Sequence, residues 1–154
     1  MALPLLIVFL AAAAAVPPQS PGGDTGKVVA AAQPTQVVAA FHAALAGGDR
    51  NAALSLLAPE VVIFEAGGAE VSREEYALHH LDADLELSRA TRERLVEQRT
   101  GGEGGVAWVL SRTATSGNFR GQPVSSNVTE TAILRRTATG WLIVHMHWSS
   151  QKSR

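Results

Sequence analysis

The spacing of apolar positions predicts two helices at the start of the folded part of this chain. After Pro34, valine, phenylalanine, alanine and leucine recur at spacings of one, three and four, which is typical of an amphipathic helix with one buried stripe. Gly47-Gly48 ends this helix, and Asp49 caps a second, shorter helix that Pro59 closes. Two helices joined by such a tight turn form a hairpin.

A short strand and a third helix follow in the pattern. Residues 61–65 are mainly β-branched and apolar, and residues 70–71 are placed to return antiparallel across a glycine turn. Ser72 opens the third helix, with Glu75 three residues later to complete a capping box. One line along this helix carries three polar side chains, Tyr76, His80 and Asp84. The pattern therefore predicts a helix with an apolar face and a polar border.

From residue 90 onward the apolar pattern changes to that of β-strands. Four strands are predicted, at about 91–100, 104–116, 122–136 and 140–149. The segments between them are short and rich in turn residues, so the strands form an antiparallel meander. Three helices followed by such a meander give an α+β fold, in which the helices pack on one face of a curved antiparallel β-sheet.

The last strand is the one around which the sheet is organised. Its almost unbroken apolar run is typical of a strand covered on both faces, in the middle of a sheet. It also holds two histidines and two tryptophans, which are unusual in a buried strand and suggest a site. Because side chains alternate, Met146 and Trp148 share one face, while His145 and His147 share the other.

Composition excludes several classes of protein. A chain of 154 residues with 46% hydrophobic side chains fits one globular domain. Thirteen basic and fourteen acidic residues leave a formal charge of −1 without a long run of either sign, which argues against a nucleic-acid partner. The lack of cysteine excludes thiol nucleophiles, thiolate metal sites and disulfides. We expect no cofactor.

The N-terminal segment is typical of an exported protein. Residues 1–15 form an uncharged apolar stretch that ends in Ala13-Ala14-Ala15, which predicts a signal peptide and a periplasmic or secreted protein. The alternative is a retained membrane anchor, although the stretch is shorter than the roughly 20 residues that span a bilayer. After cleavage no stable membrane insertion is expected. Residues 16–33 are rich in proline and glycine and predict a flexible linker.

Four local sequences resemble the nuclear transport factor 2-like superfamily. They are Phe41–Asp49, Ile63–Glu65, Glu130–Arg136 and Gly140–His147, in an order that covers the domain predicted at 34–150, ahead of a short tail at 151–154. The chain is similar to small SnoaL-like bacterial proteins and to the association domain of calcium/calmodulin-dependent protein kinase II. The superfamily includes isomerases, dehydratases, cyclases, transport factors and oligomerisation hubs, so the fold alone does not define a function.

The resemblance implies a cone-shaped fold with a pocket between helices and sheet, and an outer sheet face that commonly forms a homodimer. It implies that Trp148 faces the pocket. Arg112 corresponds to a cavity arginine of the kinase domain. Other cavity positions differ, since Val124 and Trp148 stand where that domain has arginines and Ala77 where it has histidine. The implied pocket is therefore more apolar and aromatic than that of the kinase domain.

These observations predict a pocket for a small, largely apolar molecule with one polar or anionic group. We expect five residues to line it, Tyr76, His80, Trp108, Arg112 and Trp148. For Tyr76 the alternative is core packing, and for Arg112 it is a surface ion pair. The alternative function is an enzyme of the isomerase, dehydratase or cyclase kind with His80 as its base.

Two further roles remain open for the histidines of the last strand. On an outer face, His145 and His147 would be interface residues of a homodimer, or of an interaction module that binds no ligand. In the metal alternative, the same pair joins a histidine from the third helix and a carboxylate. That set would consist of His145 and His147 with His79 or His80 and with Glu65 or Glu70.

Overall fold

The computed structural model describes residues 33–153, so the predicted signal peptide and all but the last residue of the predicted linker lie outside it. The described chain forms four helices, α1 (Pro34–Gly47), α2 (Arg50–Ser55), α3 (Arg73–His79) and α4 (Leu81–Ala90). It also forms six strands, β1 (Leu57–Glu65), β2 (Gly68–Glu70), β3 (Thr91–Glu103), β4 (Val106–Phe119), β5 (Gln122–Thr137) and β6 (Gly140–Lys152). No helix in 33–153 is both long and apolar enough to cross a membrane.

Helix α1 forms where the apolar spacing predicts it. Pro34 occupies its first turn, where a missing N–H costs nothing, and Gly48 adopts the left-handed backbone (φ 74°) that ends it. The residues at the predicted spacings are the buried ones, namely Val37, Val38, Phe41, Ala44 and Leu45. This face packs against β4 and β6 and forms much of the core.

Helix α2 is shorter than predicted. Asp49 caps it as expected, since its side chain accepts a hydrogen bond from the N–H of Ala52 at 2.9 Å. The helix ends at Ser55, however, and Leu57 already belongs to β1, where it is fully buried and pairs with Ile143. Pro59 lies where the pairing of β1 with β6 is irregular, a position that tolerates a residue without an N–H.

The predicted third helix is divided in two at His80. This residue leaves helical geometry (φ −118°, ψ −37°), so α3 ends at His79 and α4 begins at Leu81. Ser72 still caps α3, accepting a hydrogen bond from the N–H of Glu75 at 3.1 Å. The break also leaves the polar residues of this segment in different surroundings, as described below.

The sheet is mixed rather than wholly antiparallel, which corrects the sequence prediction. Its strand order is β2-β1-β6-β5-β4-β3, and it is curved but not closed into a barrel. The meander from β3 to β6 and the β1–β2 hairpin are antiparallel as predicted, but β1 runs parallel to β6. A parallel pair needs a long connection, and the helices and intervening strands supply it. As predicted, β6 lies inside the sheet.

The inner face of the sheet, which carries the helices, is defined by alternation along β4. Ala107, Val109, Ser111 and Thr113 point inward and are buried, whereas the residues between them are exposed. In β6 the pairing shifts between Ile143 and His145, so Val144 forms a bulge. The bulge places Ile143, as well as Met146 and Trp148, on the inner face.

Candidate functional site

A cavity of about 570 Å³ lies between α1, α4 and the inner face of the sheet. This volume is in the range of small-molecule sites. Five ionisable residues border it, namely His42 from α1, Glu65 at the end of β1, Asp84 from α4, Glu93 from β3 and His147 from β6. Its apolar wall includes Leu45, Leu87, Val128 and the indole of Trp148. This space is termed the first cavity.

A buried carboxylate holds the wall of this cavity in place. Glu130 lies on the inner face of β5 and is almost completely buried. Its Oε2 accepts two hydrogen bonds, from Nε2 of His42 at 2.6 Å and from Nε1 of Trp148 at 2.7 Å. Phe41 stacks on Trp148 and meets the ring of His42 edge-on, with ring centroids 6.4 and 5.7 Å away. The imidazole and the indole therefore have fixed positions.

The His42–Glu130 pair is stable in its ionised form. Burial favours a neutral imidazole, but the hydrogen bond and charge of Glu130 outweigh it and raise the pKa of His42 above 6.5. Burial would likewise raise the pKa of Glu130, yet the hydrogen bond and charge of His42 and the hydrogen bonds from Trp148 and Ser111 lower it below 4.5. Because Nε2 of His42 donates to Glu130, Nδ1 is the ring nitrogen of His42 that remains available to a ligand.

The carboxyl of Asp84 borders the same cavity and, unlike that of Glu130, has a raised pKa. Burial raises the pKa of Asp84, and the hydroxyl of Tyr76, which donates to its Oδ2 at 2.7 Å, opposes this only in part. Burial also raises the pKa of Glu65. Carboxyls with raised pKa values in a cavity are suited to taking up and returning protons near neutral pH.

Two of the five predicted pocket residues belong to this site. Trp148 borders the first cavity, as the resemblance to the kinase association domain implies. Tyr76 is fully buried and reaches the cavity only through Asp84, so the core-packing alternative describes its ring, and its hydroxyl positions the carboxyl.

The prediction that Trp108 and Arg112 line the pocket is wrong. Both lie on the outer face of β4, where Arg112 forms an ion pair with Glu97 at 3.4 Å and Trp108 is 40% exposed. Trp108 lies over Gly101 of the neighbouring strand, where a Cβ would collide with the indole. Alternation correctly placed these two residues on one face, but it is the opposite face from the cavity.

His80 is also absent from the wall of the first cavity, which corrects its predicted role as the base. Its Nδ1 is paired with the buried carboxylate of Glu70, and its side chain is 41% exposed. Within 33–153, no three histidine, aspartate or glutamate side chains are grouped closely enough to hold a metal ion. The alternative set of His79, His80, His145 and His147 is therefore not brought together in the described chain.

The two histidines of the last strand lie on the outer face, opposite Met146 and Trp148. Nδ1 of His145 is 2.9 Å from the carbonyl oxygen of Val62, and both imidazoles meet the ring of Phe64 edge-on. This is the placement that the interface hypothesis requires. Their participation in a subunit contact stays a prediction.

Two residues of this site, His42 and Glu130, had no role predicted from the sequence. His42 lies within the Phe41–Asp49 segment, but its position on α1 beside the buried stripe carried no sign of a partner. Glu130 offered a clearer signal, since it stands two residues before Ala132 and four before Leu134 on the inward-facing positions of β5. An acid at an apolar inner position needs a partner, and His42 is that partner.

Comparisons with known proteins agree with this architecture. A family model for SnoaL-like domains matches residues 35–152. No curated protein matches the sequence. Among solved structures, a provisionally assigned ketosteroid isomerase from Shewanella frigidimarina is similar, with 35% identity and a TM-score of 0.71, over 73% of this chain and 91% of that one.

Two further solved structures share the fold at lower identity. The CaMKII hub of S. rosetta has 22% identity and a TM-score of 0.67, over 78% of this chain and 98% of that one. A provisionally assigned dehydratase of the NTF2-like family from Streptomyces avermitilis has 20% identity and a TM-score of 0.67, over 76% of this chain and 93% of that one. The chain therefore belongs to the SnoaL-like domain family, within the nuclear transport factor 2-like fold.

Proposed function

We propose that the first cavity binds a small, largely apolar molecule and moves a proton on it, as an isomerase or dehydratase does. The observation that carries this proposal is that Asp84 and His42 border one cavity, and that a buried carboxylate behind its wall, Glu130, holds His42 in place. A carboxylate that accepts a proton and an imidazolium that stabilises negative charge are the two parts that such a reaction needs.

The role of His42 follows from its partner. Glu130 holds the imidazole in its charged form and fixes its Nε2, so Nδ1–H is available to donate to a carbonyl or hydroxyl oxygen of the ligand. A donor fixed before the reaction stabilises an oxyanion without the cost of reorganisation. In a dehydration, the same N–H would protonate the departing hydroxyl.

The role of Asp84 is to carry the proton. For a β,γ-unsaturated ketone, its carboxylate removes a proton from the carbon between the ketone and the alkene, and the electron pair forms a dienolate. The dienolate oxygen accepts the hydrogen bond from His42. Asp84 then returns the proton to the far end of the former alkene, which gives the conjugated ketone with no net gain or loss of atoms. Tyr76 holds Asp84 in place throughout.

Two of the similar structures support this class of reaction. The Shewanella protein is provisionally assigned as a ketosteroid isomerase, and the Streptomyces protein as a dehydratase. Both assignments describe proton transfer next to a carbonyl or hydroxyl group. Export, which the N-terminal sequence alone indicates, remains a proposal, and the ligand would then be one that the protein meets outside the cytoplasm.

The test is turnover of androst-5-ene-3,17-dione, followed by the ultraviolet absorbance of the conjugated ketone. We expect the wild-type protein to form this product and Asp84→Asn to lower kcat by at least about 100-fold, since general acid–base catalysis contributes that much. Substituting Gln for His42 should also lower kcat, because the oxyanion donor is lost.

The matched control is Asp82→Asn, two residues earlier on α4. The carboxylate of Asp82 is 83% exposed and pairs with Arg50 on the surface, so this variant should keep wild-type turnover. Fluorescence of Trp148 separates binding from turnover. If the steroid quenches the tryptophan fluorescence of the wild type and of Trp108→Phe but not that of Trp148→Phe, the ligand is in the first cavity. Turnover unaffected by Asp84→Asn would refute the proposed role of this residue.

A second candidate function, self-association, is supported by the outer face of the sheet. Four large apolar side chains are exposed there, Phe64 at 44%, Val106 at 47%, Trp108 at 40% and Leu110 at 40%. The strand register places Leu110, Thr131, His147 and Phe64 in one row across the sheet, so exposed apolar and polar side chains share this surface. An exposed apolar patch with polar neighbours is typical of a protein interface, and hub domains are among the similar structures.

We expect the wild-type protein to be a dimer and Leu110→Lys to be a monomer, because the substitution places a charge in the centre of this surface. Light scattering coupled to size-exclusion chromatography measures the mass directly. Leu78→Lys is the matched control, since Leu78 is 71% exposed on α3 and lies outside the sheet. A monomeric wild type, or a dimer that Leu110→Lys leaves intact, would contradict this proposal.

A further inference from the structure

His80 lies at the break between α3 and α4, next to the proposed base but outside the wall of the first cavity. Its backbone N–H donates to the carbonyl oxygen of Tyr76 at 3.0 Å, and its own carbonyl oxygen accepts from the N–H of Asp84 at 3.1 Å. The hydroxyl of Tyr76 in turn donates to the carboxyl of Asp84. The position of His80 therefore determines how these two side chains meet.

The side chain of His80 is fixed by a buried carboxylate from another element. Glu70 is the last residue of β2 and lies opposite Ile63 of β1, which belongs to the core. Residues directly opposite in antiparallel strands point to the same face, so Glu70 points to the face that carries the helices, and it is only 6% exposed. Its Oε1 is paired with Nδ1 of His80. This contact joins the helix break to the sheet.

The Glu70–His80 pair also places a positive charge next to the proposed base. A carboxylate buried as deeply as that of Glu70 is costly without a balancing charge, and the imidazolium form of His80 supplies it. Burial raises the pKa of Asp84, and the hydroxyl of Tyr76 and the charge of His80 oppose that rise. The effect of His80 on this pKa is larger than the opposite effect of Glu70.

Other charged groups face Asp84 from the neighbouring elements. His42 of α1 lowers the pKa of Asp84, and the carboxyls of Asp84 and Glu65 of β1 raise the pKa of one another. Glu93 of β3 borders the same cavity. All three lie outside the α3–α4 segment, so a substitution of His80 leaves them in place and changes only the charge at the break.

We propose that His80, held by Glu70, is a positioning residue for Asp84, which it orients through the helix break and keeps beside a positive charge. His80 acts through Asp84, so its part in catalysis rests on the proposed function. A positive charge next to a carboxylate favours the ionised form, which is the form that accepts a proton from the ligand. The contacts exist without a ligand, so they can be tested without one.

The experiment follows the side-chain carboxyl ¹³C resonances of Asp84 and Glu65 by NMR, from about pH 3 to 8, in the protein without ligand. We expect His80→Gln to raise the measured pKa of Asp84 by about one unit, because a neighbouring opposite charge is lost. The pKa of Glu65 should rise as well, since His80 acts on both carboxyls. His80→Lys restores a positive charge and should return both values towards those of the wild type.

The matched control is His79→Gln, the same substitution one residue earlier. His79 is the exposed last residue of α3, so this variant should leave the pKa of Asp84 unchanged. The NMR spectrum itself reports whether each variant is folded. An unchanged pKa of Asp84 in folded His80→Gln, an equal change in His79→Gln, or a His80→Lys variant that behaves like His80→Gln would each overturn the proposal.

The role of Glu70 is tested by hydrogen exchange of the Asp84 amide, which donates to the carbonyl oxygen of His80. In Glu70→Gln we expect this amide to exchange at least about tenfold faster, because loss of a bond between charged groups lets the break open locally. Glu74→Gln, at an exposed position on α3, is the control and should exchange as the wild type does. Equal exchange in Glu70→Gln and wild type would refute the role of Glu70.

Failure of the proposed reaction and failure of the positioning role give different results. Absence of steroid turnover together with the expected pKa changes would refute the reaction and leave His80 as the residue that sets the charge of Asp84. Steroid turnover with an unchanged pKa of Asp84 in His80→Gln would refute the positioning role alone. Where both hold, the acidic limb of kcat/KM against pH should move in His80→Gln by as much as the measured pKa of Asp84.

Discussion

Replacing Phe41 with alanine should lower the free energy of unfolding by about 3–5 kcal/mol, the range for a large aromatic side chain removed from a packed core. Phe41 is fully buried between α1 and the sheet, and its ring stacks on Trp148. Chemical denaturation with urea measures the change, as a lower midpoint at an unchanged slope.

The matched control for this substitution is Phe119→Ala. Phe119 is the last residue of β4, is only half-buried, and contacts the guanidinium of Arg120 4.9 Å from its ring centroid. We expect Phe119→Ala to lower the free energy of unfolding by about 1 kcal/mol or less, as is usual for side chains truncated outside the core. Equal losses for the two variants would mean that α1 is not packed on the sheet as described. Because Phe41 also supports Trp148, its loss should weaken ligand binding in the first cavity.

Substituting glutamine for Glu130 should destabilise the protein most between about pH 4.5 and 6.5. The raised pKa of His42 means that its contribution is fully present below 6.5 and is lost as the pH rises through the folded-state value. The lowered pKa of Glu130 means that its contribution is fully present above 4.5 and is lost as the pH falls through its folded-state value. Both contributions are complete only between these two limits.

Between these pH values we expect Glu130→Gln to lower the free energy of unfolding by about 3 kcal/mol. This is the lower end of the range for removing one partner of a buried ion pair, because His42 is partly exposed. The measurement is the difference in unfolding free energy between wild type and variant at several pH values from 4 to 8. Taking the difference removes the effects of Asp84 and Glu65, whose raised pKa values also change stability with pH.

Glu97→Gln is the control for this pH series, since Glu97 pairs with Arg99 and Arg112 on the exposed outer face. It should change stability little at any pH, as is usual for surface ion pairs. A difference between wild type and Glu130→Gln that stays constant from pH 4 to 8 would show that the His42–Glu130 pair is not ionised in the folded protein.

Periodicity was sufficient to predict most elements of this fold, because each signal is local. The buried stripe of α1 and the four strands of the meander follow from spacing and turn residues alone. The direction of β1 could not be predicted in this way, since alternation is the same in parallel and antiparallel strands. The bulge at Val144 also has no local signal, and it moves Ile143 to the inner face.

The prediction that Trp108 and Arg112 line the pocket followed the resemblance, which matches Arg112 to a cavity arginine, and the apolar character of this face of β4 did not contradict it. The outer residues of β4, including Trp108 and Leu110, are larger and more apolar than the inner residues Ser111 and Thr113. The usual assumption that the more apolar face points inward therefore fails in this strand. On the inner face, Ser111 lies directly opposite Glu130, and the apolar outer face is consistent with a subunit contact.

The contacts that form the site join residues far apart in the sequence, so no local sequence pattern predicts them. His42 and Glu130 are 88 residues apart in sequence, and their hydrogen bond exists only because α1 packs on the inner face of the sheet. Asp84 was correctly aligned with Tyr76 along the predicted helix, but the break at His80 determines that Asp84, and not His80, borders the first cavity. Asp84, and not His80, is therefore the proposed base.

The central claim is that the first cavity moves a proton through Asp84. The most direct test is to incubate the protein with androst-5-ene-3,17-dione in D₂O and to measure deuterium in the recovered steroid by mass spectrometry, against buffer alone. We expect the wild type to catalyse deuterium incorporation or isomerisation far above the buffer rate, Asp82→Asn to do the same, and Asp84→Asn to be at least about 100-fold slower. Neither reaction above the buffer rate in the wild type, or equal rates in Asp84→Asn, would contradict the account.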